Sequence, residues 1–342
     1  MTIVQRFLSW THGNRWIWSA IAVVIVWIIL SVVTNRFSLS SVSGVVLSAS
    51  FLTLISLGQM FVVSTGRGNI DLSIPAVLTL SAFVALIVIR GEDANLVAGV
   101  LAALFLGLGI GAVNAFLVVI IGIPAIIATL SSGFVLATAT LLANRAIPGF
   151  AVSPTLRYIA TAKIGGLPVM AIVAFATVVL AAIVLRYSVY GKQLSATGQS
   201  RDAARLAGVA VKRIEASAFF ISSTLASLTG LFLGAFVGGA FLEMGQAYLL
   251  QSIAAVVVGG TLIFGGSSTA FGTMFASILL ILIVTTMQIM SLPLGTQNMV
   301  QGVVVILVLA LAGVERSARG KRKTPDEDIS PEASGEMGQA RQ

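Results

Sequence analysis

The chain has 342 residues, 57% apolar and 9% charged, with 20 basic residues against 12 acidic ones and a formal charge of +8. A mean hydropathy of +1.04 with so thin a charged fraction excludes an ordinary soluble domain, whose exterior needs many more ionised side chains. The absence of cysteine removes disulfides and thiolate chemistry, and the single histidine, His12, reads as a solvated or interfacial residue rather than a metal ligand.

The basic residues stand in loops and at chain ends beside long apolar runs, the pattern of a protein facing anionic lipid rather than nucleic acid. Residues 1–15 carry Arg6 and Arg15 and read as a cytoplasmic N-terminal segment. The uncharged run 16–35 is long enough to span and lacks a clear small-x-small cleavage site, so it is expected to be the first membrane helix rather than a removed signal. Runs 37–66 and 72–89 supply one span each. Run 94–144 breaks at Gly122-Ile123-Pro124 into two, and runs 167–185 and 216–242 give one each. Run 244–314 breaks at Gly265-Gly266-Ser267-Ser268 and at Leu292-Pro293-Leu294-Gly295 into three, since Gly and Pro end helices. At roughly 20 residues per crossing, the fold class is all-α and polytopic, with about ten transmembrane helices over residues 16–314.

That model gathers Arg6, Arg15, Arg67, the basic residues from Arg186 to Arg213 and the cluster from Arg316 to Lys323 on one side. Arg36, Arg90, Arg145, Arg157 and Lys163 fall on the other. Both termini are therefore expected in the cytoplasm, together with a loop over 187–215. Residues 315–342, where a basic cluster gives way to Pro325-Asp326-Glu327-Asp328 and small polar residues, read as a disordered cytoplasmic tail whose cations anchor the last helix.

Chemistry is sparse. The acids expected within or beside the spans are Asp71 and Glu243, which leaves no chain of buried carboxylates for a proton relay and disfavours proton symport. No G-x-x-x-x-G-K-[ST] cradle occurs, so the chain is not expected to hydrolyse ATP itself. Neither a Ser/His pair nor paired carboxylates fall on an apolar segment, so an enzyme is not expected.

Three segments stand out. The first runs from Gly58-Gln59 through Gly66-Arg67-Gly68-Asn69-Ile70-Asp71-Leu72-Ser73-Ile74-Pro75 and reads as a turn entering a helix, with Asp71 or Ser73 as cap, Asp71 within reach of Arg67, and Pro75 in the first turn. The second, within 190–209, contains a short helix capped by Ser200, with Asp202 in its first turn and Gly208 at its end. Arg201 and Arg205 are four apart on one face, with Ala204 and Leu206 as apolar surface, so this helix is suited either to docking another protein or to acting as a plain connector. The third, 251–273, is dense in small residues and contains Gly259-Gly260 and Gly265-Gly266. Close helix packing explains it, since small residues let helices approach in lipid; Gly pairs that interrupt an apolar run can also mark a helix broken beside a central path.

At these segments the chain resembles the ribose-type sugar permeases of bacterial ABC importers. The likeness is carried by Ile70-Asp71-Leu72-Ser73 after a glycine turn, by Ala203-Ala204-Arg205-Leu206-x-Gly208, and by Ile253-Ala254-Ala255-Val256-Val257-x-Gly259-Gly260-Thr261. Ile123-Pro124-Ala125-Ile126-Ile127-Ala128-Thr129-Leu130 and Gln297-Asn298 add to it. The resemblance extends in order over about residues 45 to 313. It departs at Arg67, Gly68 and Asn69, where relatives often have a plain Gly-Gly, and at Pro75, where they often have Gly, which leaves a ribose-like pentose or a hexose open as substrate.

The resemblance implies a multi-pass protein of the bacterial cytoplasmic (inner) membrane, forming a dimer with a second copy or paralogue. It further implies cytoplasmic ATPase subunits that hold ATP and magnesium, with no cofactor on this chain, and an extracytoplasmic sugar-binding protein. Arg201, Asp202, Ala203, Ala204, Arg205, Leu206 and Gly208 would then couple to the ATPase. An uncharged path favours a neutral monosaccharide, and Asn69, Asp71, Ser73, Asn114 and Thr129 are expected as path or gate residues. A permease for amino acids or nucleosides, a secondary transporter or channel, and a membrane scaffold remain open alternatives.

Overall fold

A computed structural model describes residues 16–34, 39–145, 151–293, 295–297, 299–300, 302–303 and 306. The N-terminal segment, His12 and the tail 315–342 lie outside the described residues, as does most of the last expected span. Among the described residues, α-helices and one small hairpin follow in chain order: α1 (Trp16–Thr34), α2 (Leu39–Ser64), α3 (Ile74–Ile89), α4 (Leu96–Ala115), α5 (Ala125–Arg145) and α6 (Pro154–Thr161) come first. The hairpin pairs β1 (Lys163–Ile164) with β2 (Leu167–Pro168), and α7 (Val169–Tyr187), α8 (Val189–Gln199), α9 (Arg201–Leu206), α10 (Val211–Val237), α11 (Gln246–Val258) and α12 (Ala270–Ile289) follow.

Among the described residues, 6 helices are long and apolar enough to cross a membrane, and three shorter apolar helices accompany them. Helix is the form expected, because a chain in hydrocarbon must satisfy its backbone N–H and C=O groups within itself. The outer faces of α4, α5 and α7 are apolar and exposed, with Phe105 at 66%, Phe134 at 68% and Phe175 at 53% accessibility, as a lipid-facing surface requires.

The 27-residue α10 is the centre of the packing. Because lipid tails are as apolar as the helices, association depends on close backbone approach, which small residues permit. Gly58 of α2 touches the Ser222 backbone, and Gly230 of α10 touches the Leu78 carbonyl of α3. Ser81 on α3 donates to the Ser227 carbonyl (2.7 Å), and Ser227 in turn donates to the Ala103 carbonyl of α4 (2.6 Å), tying three helices together at one buried point.

The break at Gly122-Ile123-Pro124 is where the run divides. A π-helical stretch, Phe116–Ile121, ends at Gly122 (φ 88°), and α5 begins at Ala125. Three boundaries differ from the uncharged-run reading. Run 72–89 yields a helix of only 16 residues, about 24 Å long. The gap between α11 and α12 opens at Gly259, well before Gly265. Segment 187–215 is not a loop, since it forms α8, α9 and the first turn of α10. That turn carries Lys212, Arg213 and Glu215, because long charged side chains can reach water from a helix end while the backbone stays helical.

At the end of the molecule away from α8 and α9, Asp93 accepts from the Thr155 N–H (3.0 Å) and hydroxyl (2.7 Å), and the Ser153 hydroxyl caps α6 by accepting from the Leu156 N–H. These contacts join the α3–α4 turn to α6.

Candidate functional site

The three segments singled out in the sequence meet. A Cβ on Gly66 would lie 2.8 Å from the Gly198 carbonyl oxygen, and one on Gly265 would lie 2.4 Å from the Gly66 Cα. The Gly266 N–H donates to the Ser64 carbonyl (3.3 Å), and the Ser195 hydroxyl donates to the Gly266 carbonyl (2.7 Å). The end of α2, the end of α8 and the α11–α12 turn thus form one backbone junction that admits no side chain. Gly66, Arg67 and Gly68 have φ of 83°, 58° and 70°, a tightly wound run that at Arg67 costs of order 1–3 kcal/mol and persists only because its surroundings hold it.

From this junction the chain climbs without helix from Asn69 to Ser73 alongside α10. Its lower rung is at Glu215 and its upper rung at Ser222, eleven residues beyond Val211, so Asp71 stands about 16 Å along α10. Helix α3 therefore starts deep in the bundle. So does the 13-residue α11, because the Gly245 N–H just before it donates to the Thr79 hydroxyl (3.1 Å). At about 24 and 20 Å, both are shorter than the roughly 30 Å hydrocarbon core, as expected of half-helices that begin at membrane depth.

Each polar side chain of the climbing segment is held by a partner. Asn69 Nδ2 donates to Thr65 Oγ1 and to Glu215 Oε1, both at 2.9 Å. Gln59 of α2 pairs with the Asp71 backbone, donating to its carbonyl and accepting its N–H at 3.2 Å in the amide orientation that satisfies both. Asp71 Oδ1 accepts from the Ser73 N–H (3.0 Å) and hydroxyl (2.6 Å), while Oδ2 accepts from the Ser222 hydroxyl (2.7 Å). Asn114 Nδ2 donates to Ser73 Oγ (2.9 Å), and its Oδ1 accepts from Ser132 (2.7 Å). The Leu72 N–H donates to Thr129 Oγ1 (2.9 Å). A buried polar network is stable only when its members are satisfied in this way, and each bond to a carboxylate contributes about 1.5–3 kcal/mol.

Above this floor lies a cavity of about 350 Å³ between α3, α5 and the chain entering α11. Leu72, Pro75 and Ala76 line one side, Leu130, Gly133 and Ala137 another, and Thr79, Thr140 and Gln246 are its polar members. Its lining, among the described residues, contains no ionisable side chain.

At the other end of the network, Ser200 caps α9 by accepting from the Ala203 N–H (3.3 Å), and Gly208 (φ 79°) closes it with the Gly208 N–H on Arg205 O and the Val209 N–H on Ala204 O. The helix presents two faces. Arg201 turns inward to an ion pair with Glu215, beside the buried Ala204. Asp202, Arg205 and Leu206 face outward, Leu206 at 90% accessibility.

The family described as branched-chain amino acid transport system / permease component matches residues 41–309. The chain belongs to this permease family. A probable ABC transporter permease, y4mJ, of Sinorhizobium fredii is 30% identical over 323 residues, covering 88% of this chain and 90% of the relative. The autoinducer 2 import system permease LsrC of Shigella flexneri is 27% identical over 345 residues, covering 97% and 99%. Its Yersinia pseudotuberculosis counterpart is 29% identical over 332 residues, covering 92% and 91%. No solved structure gives a significant match. The permease is accordingly a multi-pass, non-enzymatic translocation component of an ABC transport system.

In the permease, Asn69, Asp71, Ser73, Asn114 and Thr129 are brought together and buried beneath the cavity; Asp71, Ser73, Asn114 and Thr129 bond to one another or to the backbone, and Asn69 bonds to Thr65 and Glu215. Asp71 takes its bonds from Ser73 and Ser222 rather than from Arg67, whose side chain is exposed. Arg201 and Arg205, expected on one face of α9, are divided between its inner and outer faces, because Glu215 draws Arg201 inward. Sequence reasoning placed Gln59 at the start of the first segment without a role and missed Glu215, Ser222 and Ser132. Glu215 had a signal, an acid directly before an uncharged run, whereas the two serines look like the ordinary small polar residues of a membrane helix.

Proposed function

We propose that this chain is the membrane-spanning subunit of a binding-protein-dependent ABC importer in the bacterial inner membrane, carrying a small neutral solute of the monosaccharide class. The observation that carries the solute class is the cavity, whose lining offers hydroxyls and an amide but no ionisable group. A charged or zwitterionic solute at that depth would need a compensating side chain. The autoinducer 2 import permeases among the relatives support import as the direction.

In this reading about ten spans place both termini and α8–α9 in the cytoplasm, with residues 1–15 and 315–342 as cytoplasmic extensions. The outward face of α9 seats on cytoplasmic ATPase subunits that hold ATP and magnesium. A binding protein delivers solute from the other side, and a second permease copy or paralogue completes the path. Asn69, Asp71, Ser73, Asn114 and Thr129 act as the gate beneath the cavity, opening or closing its floor rather than touching solute throughout the cycle. The family's description favours a second reading, a branched-chain amino acid as solute.

The test is uptake into proteoliposomes containing the permease, its ATPase and its binding protein, comparing labelled ribose with labelled leucine. ATP-dependent uptake of ribose, or of another aldose that competes with it, supports the proposal. Uptake of leucine alone overturns the solute class, and uptake by the permease without its ATPase overturns the importer.

A further inference from the structure

The network below the cavity and the ion pair on α9 are continuous. Arg201 pairs with Glu215, and the same oxygen of Glu215, Oε1, accepts from Asn69 Nδ2. Asn69 begins the extended stretch whose next members, Asp71 and Ser73, bind α10 and α4, and whose Leu72 is both tethered to Thr129 and exposed to the cavity. Arg201 is 14% and Glu215 6% accessible, so this pair is held away from bulk water, where a charge separated from its partner would be costly.

We infer that Glu215 is the positioning residue that ties the cavity floor to α9, with Asn69 as the next link. This rests on the proposed docking of α9 to an ATPase. A spatial chain of contacts is not by itself a coupling device. It becomes one when it holds an element that has another state to adopt. That element is the 66–73 segment: of its three successive residues at positive φ, Gly66 and Gly68 adopt the turn freely, and Arg67 carries strain that the grip on Asn69 and Asp71 maintains. When the ATPase shifts α9, Arg201, the charged partner of Glu215, moves with it, the grip on Asn69 changes, and the wound turn is free to relax. The start of α3 and Leu72 then move relative to α5, which reshapes the cavity floor. Glu215 touches no solute in this scheme and acts through Asn69.

The absence of native cysteine makes the test clean. Ala137→Cys places one thiol in the cavity wall, and its reaction rate with N-ethylmaleimide is measured in the permease–ATPase complex, without nucleotide and with ATP plus orthovanadate. In the otherwise native background, nucleotide trapping is expected to change the rate. In Glu215→Gln and in Asn69→Ala, the ATPase is expected to co-purify as before while the nucleotide-dependent change shrinks at least about fivefold. The double exchange Arg201→Glu with Glu215→Arg is expected to restore it, because the Asn69 amide can turn its oxygen toward the new cation.

An undiminished nucleotide response in both single variants, with the ATPase bound, overturns the link. Loss of the ATPase from Glu215→Gln also overturns it, since the pair would then merely shape α9. The docking premise is judged separately by Leu206→Asp: if the ATPase still co-purifies with that variant, the premise fails whatever Glu215 does.

Discussion

Gly198 and Ser64 touch through their backbones: a Cβ on residue 198 would sit 2.1 Å from the Ser64 carbonyl oxygen and 2.3 Å from the Gly266 nitrogen. Backbone cannot yield as a flexible side chain can, so Gly198→Ala must push α8 off the end of α2. The expected loss is about 1–3 kcal/mol, the usual range for forced overpacking. Gly109→Ala on α4, with nothing within 4 Å of the new methyl, serves as the control and is expected to be neutral or to gain up to about 1 kcal/mol. Thermal midpoints of the solubilised protein decide it, and equal midpoints for the two variants would contradict the junction.

Asp71 is an acceptor for three donors, so the kind of replacement matters more than the loss of charge. Asp71→Ala leaves the Ser73 N–H and the Ser73 and Ser222 hydroxyls without their carboxylate, at roughly 1–3 kcal/mol for each stranded group. Asp71→Asn keeps one oxygen for Ser73, and the Ser222 hydroxyl can rotate to accept. The alanine variant is expected to melt well below the asparagine variant, a ranking that the same thermal assay tests.

Leu206 stands 90% accessible on the outward face of α9, where the proposed docking would cover it. Leu206→Asp is expected to reduce ATPase co-purification strongly while membrane insertion and thermal midpoint stay as in the parent. A drop in the midpoint would point to an internal role for the side chain.

Gly133 faces the cavity, where a Cβ would lie 3.6 Å from the Leu72 carbonyl oxygen, an ordinary contact. Gly133→Ala is therefore expected to fold and transport normally. Gly133→Phe would fill much of the space above Leu72 and is expected to abolish uptake while the ATPase still co-purifies. Full uptake by the phenylalanine variant would place the solute route elsewhere.

Much of this arrangement is legible in the sequence because lipid leaves the backbone few options. Uncharged runs become helices, and Gly122-Ile123-Pro124 ends one where it should. Depth is not legible. Run 72–89 looks like a full span because composition does not reveal that Asn69 to Ser73 have already climbed beside α10. The pairing of Arg201 with Glu215 joins residues on two different helices, and only the turn at Gly208 brings them together. The three glycine segments were visible one at a time. Their meeting at Gly66, Gly198 and Gly265 is a property of the packed chain.

The π-helical stretch Phe116–Ile121 follows directly on Asn114 and Ala115. Each of its i→i+5 bonds encloses one residue more than an α-helical bond, so the stretch holds spare chain within a continuous helix. It is therefore the place along the continuous helix from Leu96 to Ile121 best able to absorb the loss of a residue. A one-residue deletion there can be taken up by rewinding to regular helix while Asn114 keeps its place against Ser73 and Ser132. The same deletion nearer the start of α4, between the Asp93 tether and Asn114, would turn every following side chain by about 100° relative to that tether. Chain length along this helix is thus elastic on one side of Asn114 and fixed on the other.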